Sequence, residues 1–239
     1  ENTFKNKFSY HSFRYCLIKG LKKDQLIDIQ AVYVHTDVKQ VGHVKTDNEL
    51  INQLYDAAIR TKLNNLHSSF EDCARERLGY GGDMVTLADS NLYTFDLREV
   101  YKKIVIDFIN DQTDRGGYPE TAPYMGIQSQ GTANQEGPML WQYVVPYLVN
   151  KLIQYYGEVE FAKECYGSLK KNMDYLLSWD IEELSHHDLG DHGSILIMGQ
   201  FYKPTPDKHF AGYCTVLLFL DAFIRISKIL DMECSSYEM

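Results

Sequence analysis

Glu71-Asp72-Cys73-Ala74-Arg75-Glu76-Arg77-Leu78-Gly79-Tyr80-Gly81-Gly82-Asp83 is the densest polar stretch of the 239-residue chain. Carboxylates and guanidiniums crowd its first half, and its second half is a Gly-rich turn leading into a helix. Gly79, Gly81 and Gly82 permit tight turns and close approach of a ligand to the backbone. Asp72 and Asp83 are suited to accept hydrogen bonds from sugar hydroxyls, and Arg75 or Arg77 to donate to them. Glu76 is a candidate general acid, and Tyr80 offers a flat face. The same residues also read as a solvated, salt-bridged junction between helix and turn. Composition alone leaves both readings open.

Outward from this stretch the apolar residues recur at helical spacing. Asp47-Asn48 is a fair N-cap for a helix carrying Leu50, Ile51, Leu54, Ala58 and Ile59 on one face. Further helices are expected over about 84–94, 97–111, 138–156, 159–178 and 207–231. Pro146 should kink or interrupt the third of these, and Gly157 should end it. Two long polar loops, 112–137 and 180–206, separate the helices, and loops of this length are usually functional. Upstream, His11 to Ile18 alternates around Phe13, Tyr15 and Leu17, and Leu26 to His35 is rich in Ile and Val. Both runs read as strands, too few to form a stable sheet alone.

Hydrophobic residues make up 44% and charged residues 24%, which fits a globular protein with a real core. A net charge of −9 without any basic run argues against a nucleic-acid partner. The longest uncharged apolar run, Phe210 to Leu220, falls short of the ~20 residues of a membrane span. Tyrosine is in excess, 18 residues of the 13% aromatic total, a composition that suits wet clefts as well as helical cores. Cys16, Cys73, Cys165, Cys214 and Cys234 are odd in number and widely spaced, so they define neither a disulfide framework nor a zinc site.

The 71–83 stretch closely resembles the signature of bacterial α-L-rhamnosidases, in which Asp-Cys-Pro leads into Arg-x-x-Leu-Gly-Trp and ends in Gly-Asp. Phe8 to Tyr15 looks like the aromatic strand that closes the β-sandwich ahead of the catalytic barrel. His35-Thr36-Asp37 and Gly42 through Leu54 are similar to the linker and first barrel helix. Trp141, Pro146-Tyr147-Leu148 and Tyr155-Tyr156-Gly157-Glu158 match a later helix, and Leu189-Gly190-Asp191-His192 is similar to a Gly-Asp-Trp loop. There are departures: Ala74 replaces the proline, the segment is one residue shorter, and Tyr80 and His192 stand where Trp is usual. These changes bear on sugar preference, while both rings keep planar faces.

The resemblance implies an inverting glycoside hydrolase with an (α/α)6 barrel of six helical hairpins. It makes Glu76 the general acid and puts Asp72, Arg75, Arg77, Tyr80 and Asp83 around a rhamnose ring. Tyr124, Trp141, Asp191 and His192 become wall residues. No cofactor or metal is expected, and the partner is a rhamnose-containing oligosaccharide or glycoside, which favours an extracellular or periplasmic protein. Arg75 and Arg77 would lower the pKa of Glu76 if they pointed at it, and nearby carboxylates would raise it. Inversion also needs a second carboxylate roughly 6.5–9.5 Å away. In the family that base lies far downstream, beyond Met239, with Glu120 and Glu136 as substitutes unless they are merely solvated loop carboxylates. His186-His187-Asp188 reads as loop rather than as a metal site.

Twelve helices at the observed spacing would take roughly 380 residues. The expected fold is therefore mainly α, a partial (α/α)6 toroid preceded by a short β segment. Residues 1–40 would be the tail of a β-sandwich and 41–239 the N-terminal half of the barrel, with an apolar flank open at each end. The alternatives are a six-hairpin glycosidase for another sugar, or a helical-hairpin module that binds a glycan or protein without turnover.

Overall fold

The computed structural model describes residues 3–72, 75–190 and 207–238. Eight α-helices run through them: α1 (Glu49–Asn64), α2 (Gly81–Leu92), α3 (Arg98–Asn110), α4 (Met139–Gln142), α5 (Val144–Tyr156), α6 (Val159–Leu177), α7 (Ile181–Ser185) and α8 (Lys208–Ile229). Asn48 caps α1 as expected, its side chain accepting from the N–H groups of Leu50 and Ile51. The region about 138–156 is two helices rather than one kinked helix. The break falls at Tyr143, and Pro146 becomes the third residue of α5, where a missing N–H leaves no intrahelical bond unmade. Gly157 ends α5 at φ 68°, a conformation that costs an L side chain dearly.

α5 sits at the centre and packs against α2, α3, α6 and α8. The contacts define two layers, α2–α5–α8 in one and α3–α6 in the other, as consecutive hairpins require. Val100, Tyr101, Ile104, Val105 and Phe108 of α3 are buried, as are Val145, Leu148, Val149 and Leu152 of α5. Each contributes about 1.5–3 kcal/mol of transfer free energy before entropy is counted. α1 lies at the margin of this core, with Ile59 and Leu63 packed half-buried against it. None of its residues is buried, and Leu50, Ile51 and Leu54 face outward.

α8 closes the other end of the array. Val216, Phe219, Ala222, Phe223 and Ile226 are buried, while Phe210, Leu217 and Leu218 on the other side are exposed. Because the apolar character continues through residue 229, α8 is long and apolar enough to cross a membrane by length and composition, contrary to the shorter run read from the sequence. Apolar side chains therefore stand exposed on both α1 and α8.

The expected strands do not form. Among the described residues up to 39 the only regular element is a 3₁₀ turn, Lys23–Gln25, and residues 11–34 are exposed. Alternation gives a strand its two faces, but pairing needs a second ladder of N–H and C=O groups, which these residues do not meet. Backbone-to-backbone attachment to the helical array begins at residue 36. The N–H of Thr36 donates to Leu66 O, those of Val41 and Gly42 donate to Thr94 O, and that of Asp96 donates to Lys39 O.

Candidate active site

The turn over residues 71–80 is fastened at its base. The N–H of Glu71 donates to Asn65 O at 2.8 Å, and the Asn65 amide donates to Asp72 O at 2.7 Å, which ties the turn to the end of α1. The N–H of Asp72 donates to Leu78 O, and Asp72 Oδ1 accepts from the N–H of Leu78, both at 3.1 Å. Asp72 thus closes the loop on which Glu76 rides. Within it Arg77 takes a left-handed conformation, φ 60°.

Beyond the turn the chain pairs with the 112–137 loop. Tyr80 and Thr121 form an antiparallel bridge, the N–H of Gly81 donates to Glu120 O at 3.0 Å, and that of Ala122 donates to Gly79 O at 3.1 Å. The start of α4 is joined in turn to the next loop, the N–H of Met139 donating to His187 O at 2.8 Å. The turn ahead of α2, the 112–137 loop and the residues just past α7 are therefore joined in series. Trp141 lies against this junction: a Cβ at Gly82 would come within 2.6 Å of its indole. The ring is buried, so it backs the wall rather than presenting an open face.

Glu76 is exposed at the tip of the turn. Its Oε1 pairs with Arg75, and its Oε2 accepts a hydrogen bond from the Tyr80 hydroxyl at 3.2 Å. The Arg75 side chain is 78% exposed, so water competes strongly for that pair. Burial, followed by the charge and hydrogen bond of Glu76 and the charges of Glu120 and Asp72, pushes the Tyr80 phenol up to about 12. Tyr80 therefore stays protonated and remains a donor to Glu76. The arrangement offers an exposed carboxyl with one neutral donor, one cation and a half-buried ring beside it.

Asp83 sits exposed in the first turn of α2, where a carboxylate complements the helix N-terminus. Tyr124 is half-buried two residues past Ala122, its N–H donating to Asp111 Oδ2 at 2.7 Å and its hydroxyl to Gln128 at 3.2 Å. Asp191 and His192 lie outside the described residues, so the Gly-Asp-His loop does too.

Two loop carboxylates are not solvated. Glu120 is buried and its Oε2 accepts from the N–H of Ser129, while Glu136 is wholly buried. The Glu136 carboxylate accepts from Thr113 at 2.7 Å, Thr132 at 2.6 Å and Tyr175 at 2.7 Å. Neither their burial nor these partners could be read from an aperiodic, Gly-rich segment. Asp188 is buried as well, receiving the N–H of Gly190 at 2.8 Å and the Thr215 hydroxyl at 3.2 Å, and burial raises its carboxyl. His186 and His187 meet His209 and Trp179 edge-on. Among the described residues no three His, Cys, Asp or Glu side chains gather to hold a metal.

Paired helices in two layers, with the turn ahead of α2 joined to the 112–137 loop at one end, make a helical-hairpin domain. Residues 39–239 match the family model described as bacterial alpha-L-rhamnosidase 6 hairpin glycosidase domain, and the chain belongs to that family. It is 29% identical over 199 residues to an alpha-L-rhamnosidase of Formosa agariphila, covering 80% of this chain and 21% of that protein. The structure is similar to that of an alpha-L-rhamnosidase from Dictyoglumus thermophilum, with a TM-score of 0.70 and 25% identity over 85% of this chain and 22% of that one. It shares its fold with the Streptomyces avermitilis alpha-L-rhamnosidase complexed with L-rhamnose, at a TM-score of 0.71 and 22% identity over 85% of this chain and 19% of that one. The chain spans about a fifth of the length of the curated relatives it matches.

Proposed function

We propose that this chain is the part of an α-L-rhamnosidase that supplies the proton donor for cleavage of terminal α-L-rhamnose with inversion. The observation that carries the reading is the setting of Glu76, exposed on the turn ahead of α2, paired with Arg75 and hydrogen-bonded by Tyr80. Glu76 protonates the glycosidic oxygen as the bond to the leaving group breaks. Asp72, Arg75, Arg77, Tyr80 and Asp83 hold the sugar hydroxyls and ring, and Tyr124, Trp141, Asp191 and His192 complete the wall. Burial of Glu120 and Glu136 argues against either as the base, and activation of water is assigned to a carboxylate downstream. The hairpin array belongs to one half of a toroid and starts near residue 41, close to the start of the family match at 39. Residues 1–40 belong with a β-sandwich that precedes it.

The test uses the full reading frame that carries this chain. Protonation by a positioned acid typically contributes about 10²–10⁴-fold, and it matters most for a poor leaving group. Glu76→Gln should abolish release of rhamnose from a rhamnosyl disaccharide while sparing much more of the activity on a nitrophenyl rhamnoside. Asp83→Asn should impair both substrates alike. Equal losses on both substrates for Glu76→Gln would make Glu76 a binding or structural residue.

A further inference from the structure

Of residues 3–34 only Tyr10 is not exposed, and it lies half-buried against the turn that carries Glu76. Its hydroxyl donates to Glu71 Oε2 at 2.5 Å. Its ring stacks on His67, with centroids 4.0 Å apart and planes 18° from parallel. The guanidinium of Arg77 lies 4.7 Å from the centre of the same ring. His67 Nδ1 is 3.3 Å from Glu71 Oε2, the oxygen that Tyr10 holds, and His67 Nε2 is 3.0 Å from Val34 O. One side chain from outside residues 39–239 therefore touches both arms of the turn, at Glu71 before Glu76 and at Arg77 after it.

We propose that Tyr10 is a positioning residue for Glu76. The phenol fixes the first arm through Glu71, and the ring face gives the Arg77 guanidinium a resting place away from the backbone of the turn. Arg77 is left-handed, a conformation a non-glycine residue keeps only when its surroundings hold it there. Loss of the ring lets the second arm relax, and the carboxyl that rides between the arms moves with it. The segment ahead of the hairpins is then part of the active site, through contacts made 61 residues away in sequence.

The proposal rests on the reading of Glu76 as proton donor, and the experiment separates the two. In the full reading frame, Tyr10→Ala, Tyr10→Phe and Glu76→Gln are compared on a rhamnosyl disaccharide and a nitrophenyl rhamnoside. A donor displaced by about an ångström loses on the order of 10–100-fold in kcat. Tyr10→Ala should lose that much on the disaccharide, with little change in KM and a loss below about 3-fold on the nitrophenyl substrate. Tyr10→Phe keeps the ring over Arg77 and His67 and should recover most of the rate. Should Tyr10→Ala fail to fold, Tyr10→Leu fills the space without holding the guanidinium and should show the same selective loss. A wild-type rate, or equal losses on both substrates while Glu76→Gln remains selective, overturns the role of Tyr10 alone. An unselective Glu76→Gln overturns the donor reading and the role of Tyr10 with it.

Discussion

The turn over residues 71–80 and the loop over 112–137 lie side by side, joined by the Tyr80–Thr121 bridge, yet they hold carboxylates in opposite ways. Glu136 is sealed from water and surrounded by three hydroxyl donors on Thr113, Thr132 and Tyr175. Glu76 is exposed, with one hydroxyl donor and one solvated guanidinium. A carboxylate saturated by donors and cut off from solvent fixes a loop and has no route to trade its proton. One left at the surface contributes little to the fold and keeps its proton exchangeable. Burial and hydrogen-bond saturation, rather than residue type, separate the framework acid from the candidate reactive one here.

The largest loss of stability should come from Glu136→Ala. Removing the acceptor leaves the hydroxyls of Thr113, Thr132 and Tyr175 without it, and a buried donor left unsatisfied costs about 1–3 kcal/mol. Urea unfolding should report that loss. Glu76→Gln should shift the same curve by less than about 0.5 kcal/mol, since it lies on the surface. Comparable shifts for the two would erase the distinction.

A third carboxylate sharpens the scale. Asp89 on α2 receives the Lys151 ammonium at 2.6 Å and the Tyr147 hydroxyl at 3.1 Å, with its side chain 52% exposed. The Lys151 hydrogen bond above all, against the opposing effect of burial, holds its carboxyl below the usual range. A depressed carboxyl adds stability above its unfolded value near pH 4, and that stability is lost as pH falls through the folded value. Lys151→Met should therefore cost at most about 1 kcal/mol at pH 7, given the exposure of the pair. The difference from wild type should close below about pH 3. A cost independent of pH would point to lost packing rather than charge.

Local pattern carried most of the helices. The i, i+4 run of Val100, Ile104 and Phe108 and the Asn48 cap are one-dimensional signals that tertiary packing did not overrule. Pro146 marked a break correctly, but the sequence could not say whether it would kink one helix or open a second. The 71–83 stretch was legible as a site because its residues are contiguous. Glu136 was not, since its partners at 113, 132 and 175 are scattered and their meeting depends on how three segments pack. Tyr10 lies just ahead of the alternating run His11 to Ile18, and its union with Glu71 and Arg77 leaves no trace in that periodicity. The strands themselves show the same limit, because alternation is identical whether or not a partner ladder exists.

The hydrogen bonds that close the 112–137 loop also decide where the chain can be cut. Arg115 is exposed, but the carbonyl of Gly116 beside it accepts from Gln112 and Asn172, each at 2.9 Å, and the N–H of Gly116 donates to Thr113 O at 3.0 Å. A protease must draw several residues of extended chain into its cleft, so local opening has to precede cleavage. Trypsin should cleave at Lys22 and Lys23, whose surroundings are exposed, well before it reaches the Arg115–Gly116 bond. A loop without regular secondary structure would then resist digestion longer than a segment whose sequence alternates like a strand.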